Sequence, residues 1–369
     1  MQVEKLTTIY SQHTIYLQRL GATEGLKVIP YLESIENDVV AILNKYRKRK
    51  VTLALQIDIQ KQIGEATRKH LQDYTSQLKV ENRALGAYEA EFAATTLNGV
   101  VINDDFNATV PSAAAVNSVA TITPIKLSEN SYSSYSSMMK NYWGKWSDEI
   151  HGVVQAGFLE GSTIPEITNA ITAQMDLSKS GTTKSVLDRA RRSAKQLAIT
   201  GSNHYANTAR IAFVDQNDDI LKGYRFLAVN DSRTSRTCAR LDQTTYLKDD
   251  PKLSSVTPPL HPNCRSALTF DVDDRFKLDA GDTKKASSFN VDGKRDPKPI
   301  DSDSIYYENL KKLSARDQDA AIGPTLGKAL RQMDAKKFAK MTGDSMNNPL
   351  TIKQMKEKNN ELGRILRSQ

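Results

Sequence analysis

Apolar residues recur along most of this chain at the three- and four-residue spacing of helices, and one short stretch switches to strand texture. Leu32, Ile35, Val39, Ile42, Leu43 and Tyr46 fall on one helical face. From Val51 to Ala94 the pattern continues without proline, and with glycine only at Gly64 and Gly86, predicting one long helix or a helix pair. Met138, Met139, Tyr142, Trp146, Ile150 and Val154 make a second stripe. Thr163 and Glu166 then show the T-x-x-E spacing of a capping box, with Pro165 in the first turn, where its missing N–H costs little. Val186, Leu187, Ala190, Ala194, Leu197 and Ala198 give the inward face of a helix over 182–214. GYRFLAV, Gly223 to Val229, reads as a strand by its aromatic and β-branched content. Helices return as SIYYENLKKL, ALRQMDAKKFAKM and TIKQMKEKNNELGRIL.

This texture predicts an α+β fold that is mostly α-helical. Residues 1–95 form a helical N-terminal region, and 96–137 a linker rich in Asn, Ser, Thr, Ala and Val. Residues 138–275 form a module with a small β-rich Cys/His knuckle at 224–270. A charged loop follows at 276–303, then a basic helical C-terminal region at 304–369. A chain of 369 residues has room for two or three domains and for a core that needs no disulfides. No apolar run approaches the roughly 18–20 residues of a membrane span. The first twenty residues lack the basic head and apolar stretch of a secretory signal, which predicts synthesis and first folding in a cytosol.

Charge adds one feature. The net charge is +8, and residues 321–369 hold ten Lys and Arg against four Asp and Glu, a local +6. Lys328, Arg331, Lys336, Lys337, Lys340, Lys353, Lys356, Arg364 and Arg367 are therefore candidate contacts to a polyanion such as DNA. The run KYRKRK, Lys45 to Lys50, ends a helix, and cations there complement its dipole without any nucleic acid.

The densest chemistry lies in residues 231–266. Both cysteines of the chain, Cys238 and Cys264, fall there with one of its five histidines, His261. Two sulfurs and an imidazole suit zinc, which takes four ligands in a tetrahedron. Asp231, Asp242 or a more distant residue would have to supply the fourth, and a structural zinc is the one cofactor these donors suggest. Pro262 biases His261 to an extended backbone, so that HPNC could present His261 and Cys264 from one knuckle. Three other readings stand beside it. The cysteines could form a disulfide, worth about 3 kcal/mol on chain-entropy grounds. They could be buried small apolar residues. Or a cysteine and His261 could be a nucleophile–base pair. Arg233 and Arg265 flank the cysteines, and with Asp231, Asp242, Asp271 and Asp273 near in sequence they suggest an internal Arg–carboxylate clamp.

Other catalytic words are missing: there is no G-x-x-x-x-G-K-[ST], no G-x-G-x-x-G and no H-E-x-x-H. The Asp pairs at 104–105, 218–219, 249–250 and 273–274 sit in turn-like contexts. His204 in SNHYANTAR reads as a packed or surface histidine.

Taken in order, several words resemble the head-morphogenesis (minor head protein, Mu F-like) family of tailed bacteriophages. The family's N-x-x-A-N-x-A-R helix falls on Asn203, Ala206, Asn207, Ala209 and Arg210, and its aromatic strand on Tyr224 and Phe226. Its D-x-R-T-x-x-x-C falls on Asp231, Arg233, Thr234 and Cys238, and its H-x-N-C-R on His261, Asn263, Cys264 and Arg265. GFLEGSTIPEITNAI upstream and YYENLKKLSARDQDAAIGPTLGKAL downstream also look like family words, so the resemblance runs over roughly residues 140–340. Three departures stand out. Gln243 occupies a position that is usually Gly, the strand lacks the usual Trp, and no second cysteine sits beside Cys238.

The resemblance implies a non-enzymatic structural protein. It implies residence in the virion, inside the head near the portal vertex, after a period in the host cytoplasm. Its partners would be the portal protein and capsid or other head proteins, with several copies per particle. Its role would lie in head assembly and in genome packaging or ejection. The alternative is a DNA-binding accessory or ejected virion protein that uses its basic C-terminal region on packaged DNA. Asp231, Arg233, Thr234, Asn263 and Arg265 would then be structural.

Overall fold

The computed structural model describes residues 4–46, 52–102, 106–128, 131–172, 185–276, 304–345 and 347–367, with four two-residue strands between 284 and 300. The fold is α+β and mostly helical. The chain opens with α1 (Glu4–Leu26), α2 (Ile29–Tyr46), α3 (Leu53–Val100) and α4 (Ala113–Ile122). A small hairpin follows, β1 (Ile125–Ser128) and β2 (Ser131–Ser133). Next come α5 (Tyr135–Leu159), α6 (Ile164–Thr172) and α7 (Val186–Gln216). The knuckle holds β3 (Leu221–Leu227), α8 (Arg236–Leu241), β4 (Thr245–Leu247), α9 (Leu253–Val256) and β5 (Ala267–Val272). Four short strands, β6 (Lys284–Lys285), β7 (Asn290–Val291), β8 (Lys294–Arg295) and β9 (Pro299–Ile300), precede the C-terminal helices. Those are α10 (Tyr306–Lys311), α11 (Ala315–Ile322), α12 (Pro324–Gln332), α13 (Ala335–Met341), α14 (Ile352–Lys358) and α15 (Asn360–Arg367). Among the described residues no helix is long and apolar enough to cross a membrane.

Of the two readings for the stretch from Val51, the single long helix holds: α3 has 48 residues. Two of the C-terminal helices divide instead. ALRQMDAKKFAKM is two helices, because the Asp334 side chain accepts from Lys337 N at 2.9 Å and starts α13. TIKQMKEKNNELGRIL also divides. Asn359 Oδ1 accepts from the backbone N–H groups of Glu361 and Leu362, both at 3.0 Å, and starts α15. The Thr163–Glu166 box does form, with Thr163 N donating to the Glu166 carboxylate at 2.6 Å. Of KYRKRK, α2 includes Lys45 and Tyr46, and the remainder lies outside the described residues.

The chain divides into two compact units that cut across the linear segments. One comprises Arg19–Arg83 and Ser134–Ser202. There Gly21 and Gly25, four apart, let the later half of α1 approach α7 closely: a Cβ on Gly21 would lie 2.7 Å from Ile199 Cα. Tyr135 and Tyr142 of α5 donate to the carbonyls of Leu197 and Ala190 at 3.2 and 3.1 Å.

The other unit comprises Met1–Gln18, Ala84–Ser133 and Asn203–Gln369. Its sheet is antiparallel in the order β4-β3-β5, with Tyr224 of central β3 opposite Tyr246 and Phe270. One core gathers Leu6, Tyr10, Leu97, Phe213, Phe226 and Phe270 with both cysteines. Val100, Val101, Phe106 and Ala108, all within the expected linker, are buried in that same core. A second core forms within the C-terminal helices around Tyr306, Tyr307, Leu330 and Phe338, and takes in Ala239 of α8.

A candidate metal centre in the knuckle

HPNC folds into a tight turn. Cys264 N donates to His261 O at 3.1 Å, Pro262 follows His261, and Asn263 has φ 60°. Proline at the second position and a left-handed third residue are the pattern of a type II turn, and Asn is the non-glycine residue that tolerates it best. The turn puts His261 and Cys264 on the same side. Cys238 arrives from α8, where Ser235 caps the helix by accepting from Cys238 N at 3.2 Å.

The donor atoms of Cys238, His261 and Cys264 all lie within 4.8 Å of one another. The two Sγ atoms are 3.7 Å apart, and Cys238 Sγ is 3.4 Å from His261 Nε2. A disulfide needs about 2.05 Å, so these are free thiols. Tetrahedral zinc with Zn–S near 2.3 Å and Zn–N near 2.05 Å has S···S edges of about 3.8 Å and S···N edges of about 3.5 Å. The spacing fits. His261 Nδ1 lies 3.0 Å from the Pro262 carbonyl, which can only accept, so Nδ1 carries a proton and Nε2 is the ligating nitrogen.

Electrostatics points the same way. Burial opposes charge on His261, yet the bond and charge of Cys264 hold its pKa up at about 9. Burial likewise opposes a Cys264 thiolate, but bonds from Cys238 and His261 and the imidazolium charge keep it well below the usual thiol range. Cys238 is pushed well above that range by its bond to Cys264 and by burial. These directions favour a Cys264 thiolate beside a cationic His261, with the proton held on Cys238. Zinc would need both sulfurs as thiolates and a neutral imidazole, so its binding would release protons.

The expected fourth ligand is engaged elsewhere. Asp231 accepts from both terminal nitrogens of Arg265 in a bidentate pair. Its Oδ1 also accepts from Arg233 N at 2.9 Å. Asp242 Oδ1 accepts from Ala228 N at 2.8 Å. Thr234 Oγ1 donates to the Val229 carbonyl, closing the same turn. The Arg233 side chain is 63% exposed and reaches Asp231 only at 3.4 Å. The clamp is therefore Arg265 on Asp231, with Arg233 turned outward.

Helix α7 fastens the sheet from the other side. Asn203 Nδ2 donates to Ser266 O at 2.9 Å, and Asn207 Oδ1 accepts from Leu268 N at 2.7 Å. Strand β5 is an edge strand, and these two asparagines, one turn apart, bond one backbone group on it and one just before it. Arg210, one turn further on, donates to Asn207 Oδ1 at 3.2 Å.

The Asn203–Arg210 helix, the aromatic strand, the Asp231 clamp and the HPNC turn thus form one structure in chain order. Residues 148–269 match the family model described as Phage Mu protein F like protein. This stretch is a Mu F-like segment. No curated protein and no solved structure matches the chain. The match runs from the second half of α5 through the first half of β5, so the downstream word beginning at Tyr306 lies outside it.

The Mu F-like segment also explains one departure. Gln243 has φ 64°, a left-handed conformation that glycine adopts freely and glutamine does not. His204 is buried and bonded through Nε2 to the Ala120 carbonyl at 2.8 Å; burial lowers its pKa to about 4, so it is neutral.

One feature of this unit escaped the sequence. Glu89 of α3 is fully buried, 2.8 Å from Arg210 and 2.5 Å from His13 Nε2. Arg210, also fully buried, lies over the Tyr10 ring at 4.8 Å. A lone glutamate in a long charged helix gives no hint of this.

The nine candidate cations of the C-terminal region are unequal. Arg331 pairs with Asp319 at 2.8 Å, Lys336 with Glu308 at 3.8 Å, and Lys337 with Glu361. Lys340, Lys353 and Arg364 are exposed, while Lys328 and Lys356 are half-buried. The Arg367 side chain lies outside the described residues.

Proposed function

We propose that the chain is a non-enzymatic minor structural protein of a phage head. In this reading it lies inside the capsid near the portal vertex, contacts the portal protein and other head proteins, and is present in several copies. It acts in head assembly and in genome packaging or ejection. The observation that carries the reading is the Mu F-like match together with the use of its words. Asn203, Asn207, Arg210, Asp231 and Arg265 bond to the chain's own backbone and side chains. A catalytic reading would need a reachable nucleophile. The activated sulfur, Cys264, has no exposed surface.

The Cys238, His261 and Cys264 group, in the same reading, holds one structural zinc. Zinc there would supply cross-linking between α8 and the HPNC turn, with water or another small donor as the remaining ligand. A three-ligand set is also the pattern of catalytic zinc, but the near-complete burial of both sulfurs favours a clip.

The test is particle composition. Mature heads should contain the chain, and it should resist added protease until the heads are opened. Absence from purified particles would defeat the proposal. A second reading is a DNA-binding accessory, favoured by the exposed Lys340, Lys353 and Arg364. It predicts duplex binding that weakens steeply with salt, and a flatter slope once residues 321–369 are deleted.

A further inference from the structure

Helix α8 is six residues long, too short to hold itself in water. Its two faces do different things. Cys238 and Leu241 point into the core that contains Cys264. Arg236 and Arg240, one turn apart on the opposite face, reach the C-terminal helices. Arg236 donates to Leu350 O at 3.1 Å, and Arg240 donates to Asn347 Oδ1. Arg240 also lies flat against Gly343, where any side chain would collide with the guanidinium. Ala239, beside them, is part of the C-terminal core.

A second route leaves the other cysteine. Arg265, next to Cys264, grips Asp231. The Asp231 carbonyl accepts from Tyr306 Oη of α10 at 3.0 Å. Asn309 Nδ2, one turn along, donates to Asn230 Oδ1 at 3.2 Å. Each cysteine is thus joined by a short chain of contacts to the C-terminal helices, Cys238 through α8 and Cys264 through Arg265 and Asp231.

We infer that metal binding at Cys238, His261 and Cys264 controls the docking of the C-terminal helical module, residues 306–367, through α8 and the Arg265–Asp231 pair. This rests on the zinc clip proposed above. With zinc bound, Cys238 is tied to the HPNC turn, α8 is fixed, and Arg236 and Arg240 present a rigid docking face. Without zinc, α8 is held only by its cap and by packing, and the module opens more often. The module carries most of the chain's excess positive charge, so the same step would govern how much of that charge is presented to a partner.

The experiment uses the full chain, loaded with zinc alone or stripped with dipicolinate. Metal content is measured on each sample, and amide hydrogen exchange is followed by mass spectrometry. Peptides from α10, α12 and α13 should exchange up to about 100-fold more slowly with free zinc at 100 times its dissociation constant. Peptides from the middle of α3 should not change. One zinc bound per chain with unchanged exchange in the module would overturn the coupling and leave the clip standing. No zinc bound at all would overturn both. In R236A/R240A, zinc should still bind, while the module exchanges fast whether zinc is present or not. Slow, zinc-responsive exchange in that variant would overturn the route through α8.

Discussion

Glu89 offers the most decisive stability test, because nothing in the sequence suggests that it matters. Its carboxylate meets two cationic or polar partners in a fully buried place, Arg210 at 2.8 Å and His13 at 2.5 Å. Truncation in E89A leaves the Arg210 guanidinium without its counter-charge in the interior. Breaking a buried pair from one side costs about 3–5 kcal/mol, far more than the 0–1 kcal/mol of a surface pair. For a unit of this size, about 4 kcal/mol corresponds to a fall in Tm of roughly 10 °C. E89Q should lie close to E89A, since shape is kept and charge is lost. The double variant E89L/R210M should be less damaged than E89A, because an apolar pair of similar volume removes both desolvation penalties. Thermal and urea unfolding followed by circular dichroism measure all three. A cost below about 1 kcal/mol for E89A, or a double variant worse than the sum of its parts, would refute the reasoning.

Three further outcomes follow from the same structure. N207L should cost about 1–3 kcal/mol, because Leu268 N–H loses its Asn207 acceptor at the sheet edge, and exchange of that amide should speed up; an unchanged amide would reject the latch. Q243G should stabilise by up to about 1 kcal/mol by relieving the left-handed backbone, and a clear loss of stability would contradict that. His204 holds its proton less readily folded than unfolded, with its pKa lowered by burial from 6.5 to about 4. Protons therefore favour the unfolded chain, and stability is lost as pH falls from 6.5 to 4, by about 3 kcal/mol from this residue. H204Q should flatten that part of the pH–stability curve, and an equal slope in the variant would be the adverse result.

Much of this architecture was legible in the sequence where periodicity alone decides. The stripe from Leu32 to Leu43 is buried on α2 as spaced, and Gly223 to Val229 overlaps β3. The Cys/His gathering was legible too, since HPNC dictates its own turn. Three things were not. Helix breaks at Asp334 and Asn359 depend on whether a side chain caps the next helix or faces solvent, which periodicity does not report. The buried state of Phe106 and Ala108 depends on partners more than a hundred residues away, such as Asn217, whose Oδ1 accepts from Thr109 N at 2.6 Å. And a sequence does not say which of two roles Asp231 takes, metal ligand or clamp, because that depends on whether Arg265 reaches it in a bidentate pair.

The claim that ties these observations together is that the two cysteines and the histidine fasten the Mu F-like segment through a metal and perform no reaction. Metal content and thiol count on the protein isolated from particles test it most directly. One zinc per chain is predicted, with both thiols protected from alkylation until a chelator is added. Two thiols free to react and no metal bound would contradict it.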